Sequence, residues 1–230
     1  MRLLPRLFLT VLIVTVAAGC SLAADQPRLE DVTRQAEEAG KFAGAITPVF
    51  SQLIRFRYPG SFKGVLQKTN GNYFVLQLVP DGETAQAWSQ MVTLTGHQGL
   101  ASTPFLTPEL IAGTVSDRFQ KLCPETFAIQ TLGPLQTGGT QPHDGFALVM
   151  GCGSVQDPAG RHSETALVVA IKGMADYYTL QWAERGPASE RKPDLTDRRW
   201  PERLNQFKPV ILCPILPGEP APYPSCVNQK

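Results

Sequence analysis

With 230 residues, of which 43% are hydrophobic and 18% charged, the chain has material for one sizeable core and the composition of a folded globular protein. A formal net charge of +1 gives no electrostatic reason to expect nucleic acid or a strongly anionic surface as a partner. No stretch after the first twenty residues is long and apolar enough to cross a bilayer as a helix.

The amino-terminal segment reads as an export signal. Arg2 and Arg6 precede a short apolar run over residues 7–18 that suits a signal h-region and falls short of a membrane span. Ala17-Ala18-Gly19-Cys20 closes it. This stretch resembles the lipobox of bacterial lipoproteins, which implies cleavage before Cys20 and lipid attachment to its thiol. Ala17 stands where that family usually has Leu, and Ser21-Leu22-Ala23 before Ala24 also offers an ordinary signal-peptidase cut. Ser21, rather than an aspartate, after the cysteine resembles the pattern of outer-membrane sorting; the alternative is a soluble periplasmic protein. The expected division is a signal over residues 1–19, a lipidated cysteine and spacer over 20–28, one domain over 29–207 and a proline-rich tail over 208–230.

In the domain, residues 29–39 have the composition of a loose helix. Residues 53–58 alternate Ile54, Phe56 and Tyr58 with Arg55 and Arg57, a strand with one wet face, stopped by Pro59-Gly60. Asn70-Gly71 predicts a turn and residues 73–79 a strand; Pro80-Asp81-Gly82-Glu83 turns the chain, residues 84–89 form a short helical turn ending near Trp88, and 91–95 return as a strand. Thr107-Pro108-Glu109 supplies a cap, a proline at the first helical position and an acid in the first turn, and Ile111, Val115, Phe119 and Leu122 share a face until Cys123-Pro124. Strands follow over 127–131, 146–152, 163–171 and 177–184, with a glycine-rich turn after the first and hairpin-length turns between the last three, so these are expected to be antiparallel neighbours. A helix is expected over 195–207 with Trp200-Pro201 near its start. The tail, with six prolines between Pro209 and Pro224, calls for no regular structure. The fold class predicted is α+β, an antiparallel sheet packed with helices.

Besides Cys20, the cysteines number four, Cys123, Cys152, Cys213 and Cys226. An even number in an exported chain reads as two disulfides, with three pairings open. The preferred one joins Cys123 at a helix end to Cys152 at a strand end, and Cys213 to Cys226 across the tail. No Cys-x-x-Cys ligand pair favours zinc.

The order of elements, an early strand, a Pro-x-Gly-Glu turn before a tryptophan, a helix, hairpin strands and a closing helix, resembles the Mog1/PsbP-like domains over roughly residues 54–207. That resemblance implies a fold and no activity. Pro80-Asp81-Gly82-Glu83 with Trp88, Cys123-Pro124, Cys152-Gly153-Ser154, Ser163-Glu164-Thr165-Ala166 and Gln181-Trp182-Ala183-Glu184-Arg185 resemble features of uncharacterised proteobacterial envelope proteins, which implies export and a shared architecture.

Chemistry has few anchors. The three histidines, His97, His143 and His162, fall beside turns or strand ends. His143-Asp144 and His162-Ser163-Glu164 cannot by themselves form a triad, because adjacent strand residues point to opposite faces. No Gly-x-Ser-x-Gly elbow occurs, and Gly96 to Gly99 and Gly133 to Gly139 lack the spacing of phosphate loops. Gly151-Cys152-Gly153-Ser154 reads as a structural strand end. Glu83, Glu164, Glu184 and Arg185 are the candidate ligand-facing residues, on the reasoning that Glu164 and Glu184 on neighbouring strands could line a cleft with Arg185; a salt-bridged sheet face is the competing reading. Trp88 and Trp182 are expected in the core. No catalytic residue, metal or cofactor is assigned. The functional expectation is a non-enzymatic, lipid-anchored envelope protein binding a protein partner or small ligand, and not nucleic acid. The rivals are a periplasmic hydrolase built on a histidine and a purely structural accessory protein.

Overall fold

The computed structural model describes residues 41–158 and 160–229. The export signal, Cys20, the spacer and the helix expected over 29–39 lie outside the described residues.

The described chain is of the α+β class: ten strands in two antiparallel sheets, with three α-helices. β1 (Phe42–Val49), β2 (Gln52–Pro59) and β10 (Ile211–Pro214) form a small sheet in the order β1-β2-β10. The large sheet contains β3 (Phe62–Asn70), β4 (Tyr73–Pro80), β5 (Gln90–His97), β6 (Phe127–Gln136), β7 (Asp144–Asp157), β8 (Gly160–Lys172) and β9 (Tyr177–Pro187) in the order β3-β4-β5-β9-β8-β7-β6. The helices are α1 (Pro108–Leu122), α2 (Arg199–Phe207) and α3 (Pro224–Val227).

Strand alternation sorts the large sheet into two faces. One carries Phe74, Leu76, Leu78, Val92, Leu94, Leu180, Trp182, Leu167 and Val169 against Ile54, Phe56 and Leu212 of the small sheet and Trp200 and Phe207 of α2. Trp182 sits at its centre, with the Phe207 ring 5.6 Å away. The opposite face carries Phe146, Leu148, Met150, Ala166, Val168 and Ala170 beneath Ala112, Ile111, Val115 and Phe119 of α1. Both faces of β7 and β8 are therefore covered, which is why these strands read as nearly continuous apolar runs while β4 alternates. α1 packs on β6, β7 and β8. It is begun by the Thr107 hydroxyl, which accepts a hydrogen bond from the Leu110 N–H at 3.2 Å, with Pro108 in the first turn.

The Cys123–Cys152 and Cys213–Cys226 disulfides are the pairing preferred from sequence. The first fastens the end of α1 to β7; the second fastens α3 to β10. Other expectations need correction. β1 and β3 were not expected, since β1 is diluted by Ala43, Gly44 and Ala45, and β3 is an exposed edge. Residues 84–89 contain no helix, because Glu83 bonds the Ser89 N–H and Thr84 the Ala87 N–H, a side-chain-closed loop. β6 runs on to Gln136 through a bulge at Thr131/Gly133 instead of turning. The helix expected over 195–207 begins at Arg199, with Trp200-Pro201 in its first turn. The tail holds β10 and α3, ordered by pairing with β2 and by Arg55, whose guanidinium donates to the carbonyls of Cys226, Val227 and Gln229.

Gly153 shows what the β7 bulge is for. The Ser189 N–H donates to the Gly153 carbonyl at 2.7 Å, and a Cβ on Gly153 would meet the Arg191 carbonyl oxygen at 2.0 Å and that of Ser189 at 2.6 Å. Only a glycine lets the 188–193 segment lie on this strand. Gly153→Ala is expected to cost about 1–3 kcal/mol, read as a lower urea midpoint; an unchanged midpoint would show that the segment has room to move.

Candidate functional site

α1 covers the β6–β8 half of its face and leaves the β4–β5–β9 half open. The register across these strands sets Gln77, Thr93 and Gln181 in one row and Val75, Thr95 and Thr179 in the next. Thr95 and Thr179 share a buried hydroxyl–hydroxyl hydrogen bond of 2.7 Å. The floor thus sets neutral amides and hydroxyls beside Val75, where a sheet that packed a helix would be apolar throughout. Tyr73, Val75, Met91, Gln181, Glu164 and Arg185 line a shallow depression of about 390 Å³ on it.

One end of this floor is closed by the 81–89 loop. Arg185 on β9 stands directly opposite Glu164 on β8. Its Nε donates to Glu164 Oε2 at 3.1 Å and its terminal nitrogen to Asp157 Oδ2 at 2.8 Å, while the Trp88 ring lies 3.8 Å from the guanidinium carbon. The plane is thus held from its edge by two carboxylates and from its face by an indole. The same carboxylates flank His162, whose Nε2 is 3.4 Å from Glu164 Oε2 and whose Nδ1 is 3.8 Å from Asp157 Oδ1. Glu83 holds the loop by accepting from the Ser89 N–H and hydroxyl, both at 2.7 Å. A second depression of about 440 Å³ is bounded by Glu83, Trp88, His162 and Arg185, and a third of about 360 Å³ by Gln86, Asp157 and Arg185. All three meet at Arg185.

At the other end the Tyr73 ring lies 5.1 Å from His97. Burial raises the Tyr73 phenol pKa against the opposing pull of Arg118 on α1. Burial and the Arg118 charge together lower that of His97, favouring the neutral imidazole.

Of the four candidate residues the structure brings Glu83, Glu164 and Arg185 together and separates Glu184. Being adjacent to Arg185 in a strand, Glu184 faces the other way and accepts from Arg199 at 3.2 Å and Arg203 at 3.0 Å, tying α2 to β9. Trp182 is in the core as expected; Trp88 is not, being half-buried against Arg185. Asp157, His162, Gln77 and Thr93 belong to the site and were not selected from sequence. For Asp157 and His162 a hairpin register between β7 and β8 would have been the signal, but the bulge at Cys152/Val155 obscures it. The polar row on otherwise apolar strands was legible for Gln77, Thr93 and Gln181. Among the described residues the ring nitrogens of His143 are near Gln52 and the Lys172 carbonyl, and those of His162 near carboxylates and the Gly160 carbonyl; neither has a serine hydroxyl as partner.

Fold and site together define an antiparallel α+β domain, stapled by two disulfides, with half of one sheet face exposed around a stacked arginine. No protein-family profile matches the chain, and no curated protein matches it. Among solved structures it is similar to the cyanobacterial PsbP of Synechocystis sp. PCC 6803 at 10% identity, covering 74% of this chain and 89% of that one with a TM-score of 0.41. It is also similar to the Saccharomyces cerevisiae Ran-binding protein Mog1p at 11% identity, covering 72% of this chain and 93% of that one with a TM-score of 0.40. These are the two groups that its element order resembles.

Proposed function

We propose that this protein is an exported, lipid-anchored, non-enzymatic binding protein that holds its ligand on the open half of the large sheet, against Trp88 and Arg185. The observation that carries the reading is the convergence of three depressions on Arg185, a guanidinium locked by Glu164, Asp157 and the Trp88 ring. An arginine locked by two carboxylates is a poor anion receptor. With Glu83 alongside, carboxylates outnumber the cation, so the site suits a neutral, hydrogen-bonding ligand or a cationic one, met by the Gln77, Thr93 and Gln181 row. The two disulfides suit an oxidising, exported setting, and no described helix is long and apolar enough to cross a membrane. Anchoring rests on the Ala17-Ala18-Gly19-Cys20 stretch.

The test is the mass of the chain purified from its native envelope. A lipid increment on a chain beginning at Cys20 is expected, and a lipid-free chain beginning at Ala24 would overturn the anchor. In the native spectrum, added mass that is lost on denaturation is expected for the wild type. Trp88→Ala, which removes an aromatic contact from a surface loop, should lower that occupancy by about tenfold, or ~1.4 kcal/mol. Equal occupancy in Trp88→Ala, or a bare wild-type chain, would refute the site. Substituting His143, which lies away from the three depressions against Gln52 and the Lys172 carbonyl, should leave the occupancy unchanged.

A further inference from the structure

We infer that the end of the domain formed by the 99–108 loop and the 173–176 turn is a membrane-insertion tip, which enters the outer part of a bilayer through Phe105 and Met174. Phe105 is 95% exposed and Met174 60%. Neither belongs to a core cluster, and both project from the same end of the large sheet. The two segments are locked together there: the Ala101 N–H donates to the Ala175 carbonyl at 3.0 Å, and the Tyr177 hydroxyl donates to the Leu106 carbonyl at 2.6 Å. Leu110, 54% exposed in the first turn of α1, continues the apolar surface.

The backbone makes Phe105 hard to explain otherwise. Thr103-Pro104-Phe105-Leu106 is a turn closed by the Leu106 N–H on the Thr103 carbonyl at 3.4 Å, with Pro at the second position and φ of 61° at the third. A proline followed by a left-handed residue is the pattern that calls for glycine or asparagine. A β-carbon is unfavourable there and a bulky aromatic more so, yet this side chain makes no core contact in return. Among the described residues no core cluster takes it in, so its contribution is assigned to a surface outside the domain.

The charge distribution selects a bilayer over a protein surface or an anionic polymer. Residues 98–108 contain no charged side chain, nor do residues 173–175. Asp176 is 1% exposed and turned inward onto Ser51, Gly99 and Tyr178. In sequence, charge returns at the rim with Lys172 and Glu109, and in space Asp144 and Arg118 stand behind the tip, acting on Tyr177 and His97. An uncharged apolar tip with charges set back at its rim is the arrangement of an interfacial anchor whose attraction is hydrophobic. Cys20 and Lys41 are 21 residues apart, a tether reaching at most about 70 Å, so a lipid on Cys20 would keep the tip within reach of the surface. Because β5 runs from the Trp88 end of the open face toward Gly99, insertion would leave the Arg185 end of that face pointing away from the bilayer. The inference takes only proximity from the anchored reading.

The test uses the chain with the signal over residues 1–19 removed and Cys20→Ser, which carries neither the apolar leader nor a lipid, sedimented with phosphatidylcholine–phosphatidylethanolamine vesicles. Weak partitioning that is the same at low and high salt is expected. Phe105→Gly should reduce the partition coefficient by about tenfold, as should Met174→Ser to a smaller degree. Since glycine relieves the left-handed position, Phe105→Gly should fold at least as stably as the parent, which separates lost insertion from lost structure. No vesicle binding, binding abolished by salt, or undiminished binding by Phe105→Gly would each overturn the proposal. So would binding by the Phe105 surface to an envelope protein in place of vesicles. Failure of the anchor alone appears instead as a missing lipid mass on the wild-type chain, leaving the vesicle result intact.

Discussion

Replacing Asp176 by alanine is expected to lower the unfolding free energy by about 3–5 kcal/mol, among the largest losses available from a single polar side chain. The carboxylate is 1% exposed and accepts four hydrogen bonds: from the Ser51 N–H at 3.0 Å, the Ser51 hydroxyl at 2.6 Å, the Gly99 N–H at 2.7 Å and the Tyr178 hydroxyl at 3.1 Å. These donors come from the β1–β2 turn, the segment after β5 and β9 itself. One side chain thus ties the β1–β2 turn and the segment after β5 to the start of β9, and joins the small sheet to the large one. Hydrogen bonds to a charged acceptor contribute about 1.5–3 kcal/mol each when deleted singly; alanine leaves the Ser51 and Gly99 donors without this acceptor at once, while the Tyr178 hydroxyl keeps the Val49 carbonyl at 3.3 Å, so the sum is less than additive. Ser51→Ala, which removes one donor, should cost about 1 kcal/mol. A loss below about 1 kcal/mol for Asp176→Ala in equilibrium denaturation would mean that water takes over the donors.

The same group sets an acid limb. Desolvation pushes its pKa up, but the bonds from Ser51, Gly99 and Tyr178 outweigh it, and the net direction is below the ordinary aspartate range. A depressed folded pKa means that the unfolded state binds the proton more tightly. The stabilisation is therefore complete above the unfolded carboxylate pKa and is lost as pH falls through the folded one. Asp176→Asn should flatten this limb of the stability–pH curve; an unchanged acid limb would assign it to other carboxylates.

Elements whose own residues carry a complete signal were legible from sequence. α1 announces itself through Thr107, Pro108 and a single apolar stripe, and β4, β7, β8 and β9 through alternation or apolar runs bounded by turns. β1 and β3 were not, because their stability is borrowed: Ala43, Gly44 and Ala45 have little to bury, and β3 turns Lys63 and Lys68 to solvent as an edge strand. The same division applies at the site. Glu164 opposite Arg185 follows from one hairpin register, and the placement of Glu184 on the far face follows from its adjacency to Arg185, a period-two inference that the sequence already permitted. The stack of Trp88 on Arg185 does not follow, since it depends on a loop closed by Glu83 and on the register of β5 against β9. Asp176 was invisible for a related reason, its partners lying 77 and 125 residues away.

Removing the Cys123–Cys152 bridge by double serine substitution should lower stability by about 3–4 kcal/mol, and removing Cys213–Cys226 by about 3 kcal/mol. In the chain-entropy account the loss follows the loop each bond closes, and the separations are 29 and 13 residues. For a domain of this size about 3 kcal/mol corresponds to a fall in Tm of roughly 6–12 °C. The two losses should differ in what they loosen. Cys152 and Cys123 are buried beside Phe119 and Met150 beneath α1, so opening the first bond unfastens the helix from β7 and exposes the second apolar face. Cys213 and Cys226 form a small cluster with Leu53 and Ile211, so opening the second frees α3, the carbonyls capped by Arg55 and then β10. Hydrogen exchange on the reduced chain should show the first effect in α1 and the second in β10 and its partner β2. If reductant moved neither the denaturation midpoint nor these amides, the bonds would be incidental to the fold. If it moves both, a chain of marginal total stability holds this structure only where thiols are oxidised, and the requirement for export is written into the fold itself, independently of any signal at its amino terminus.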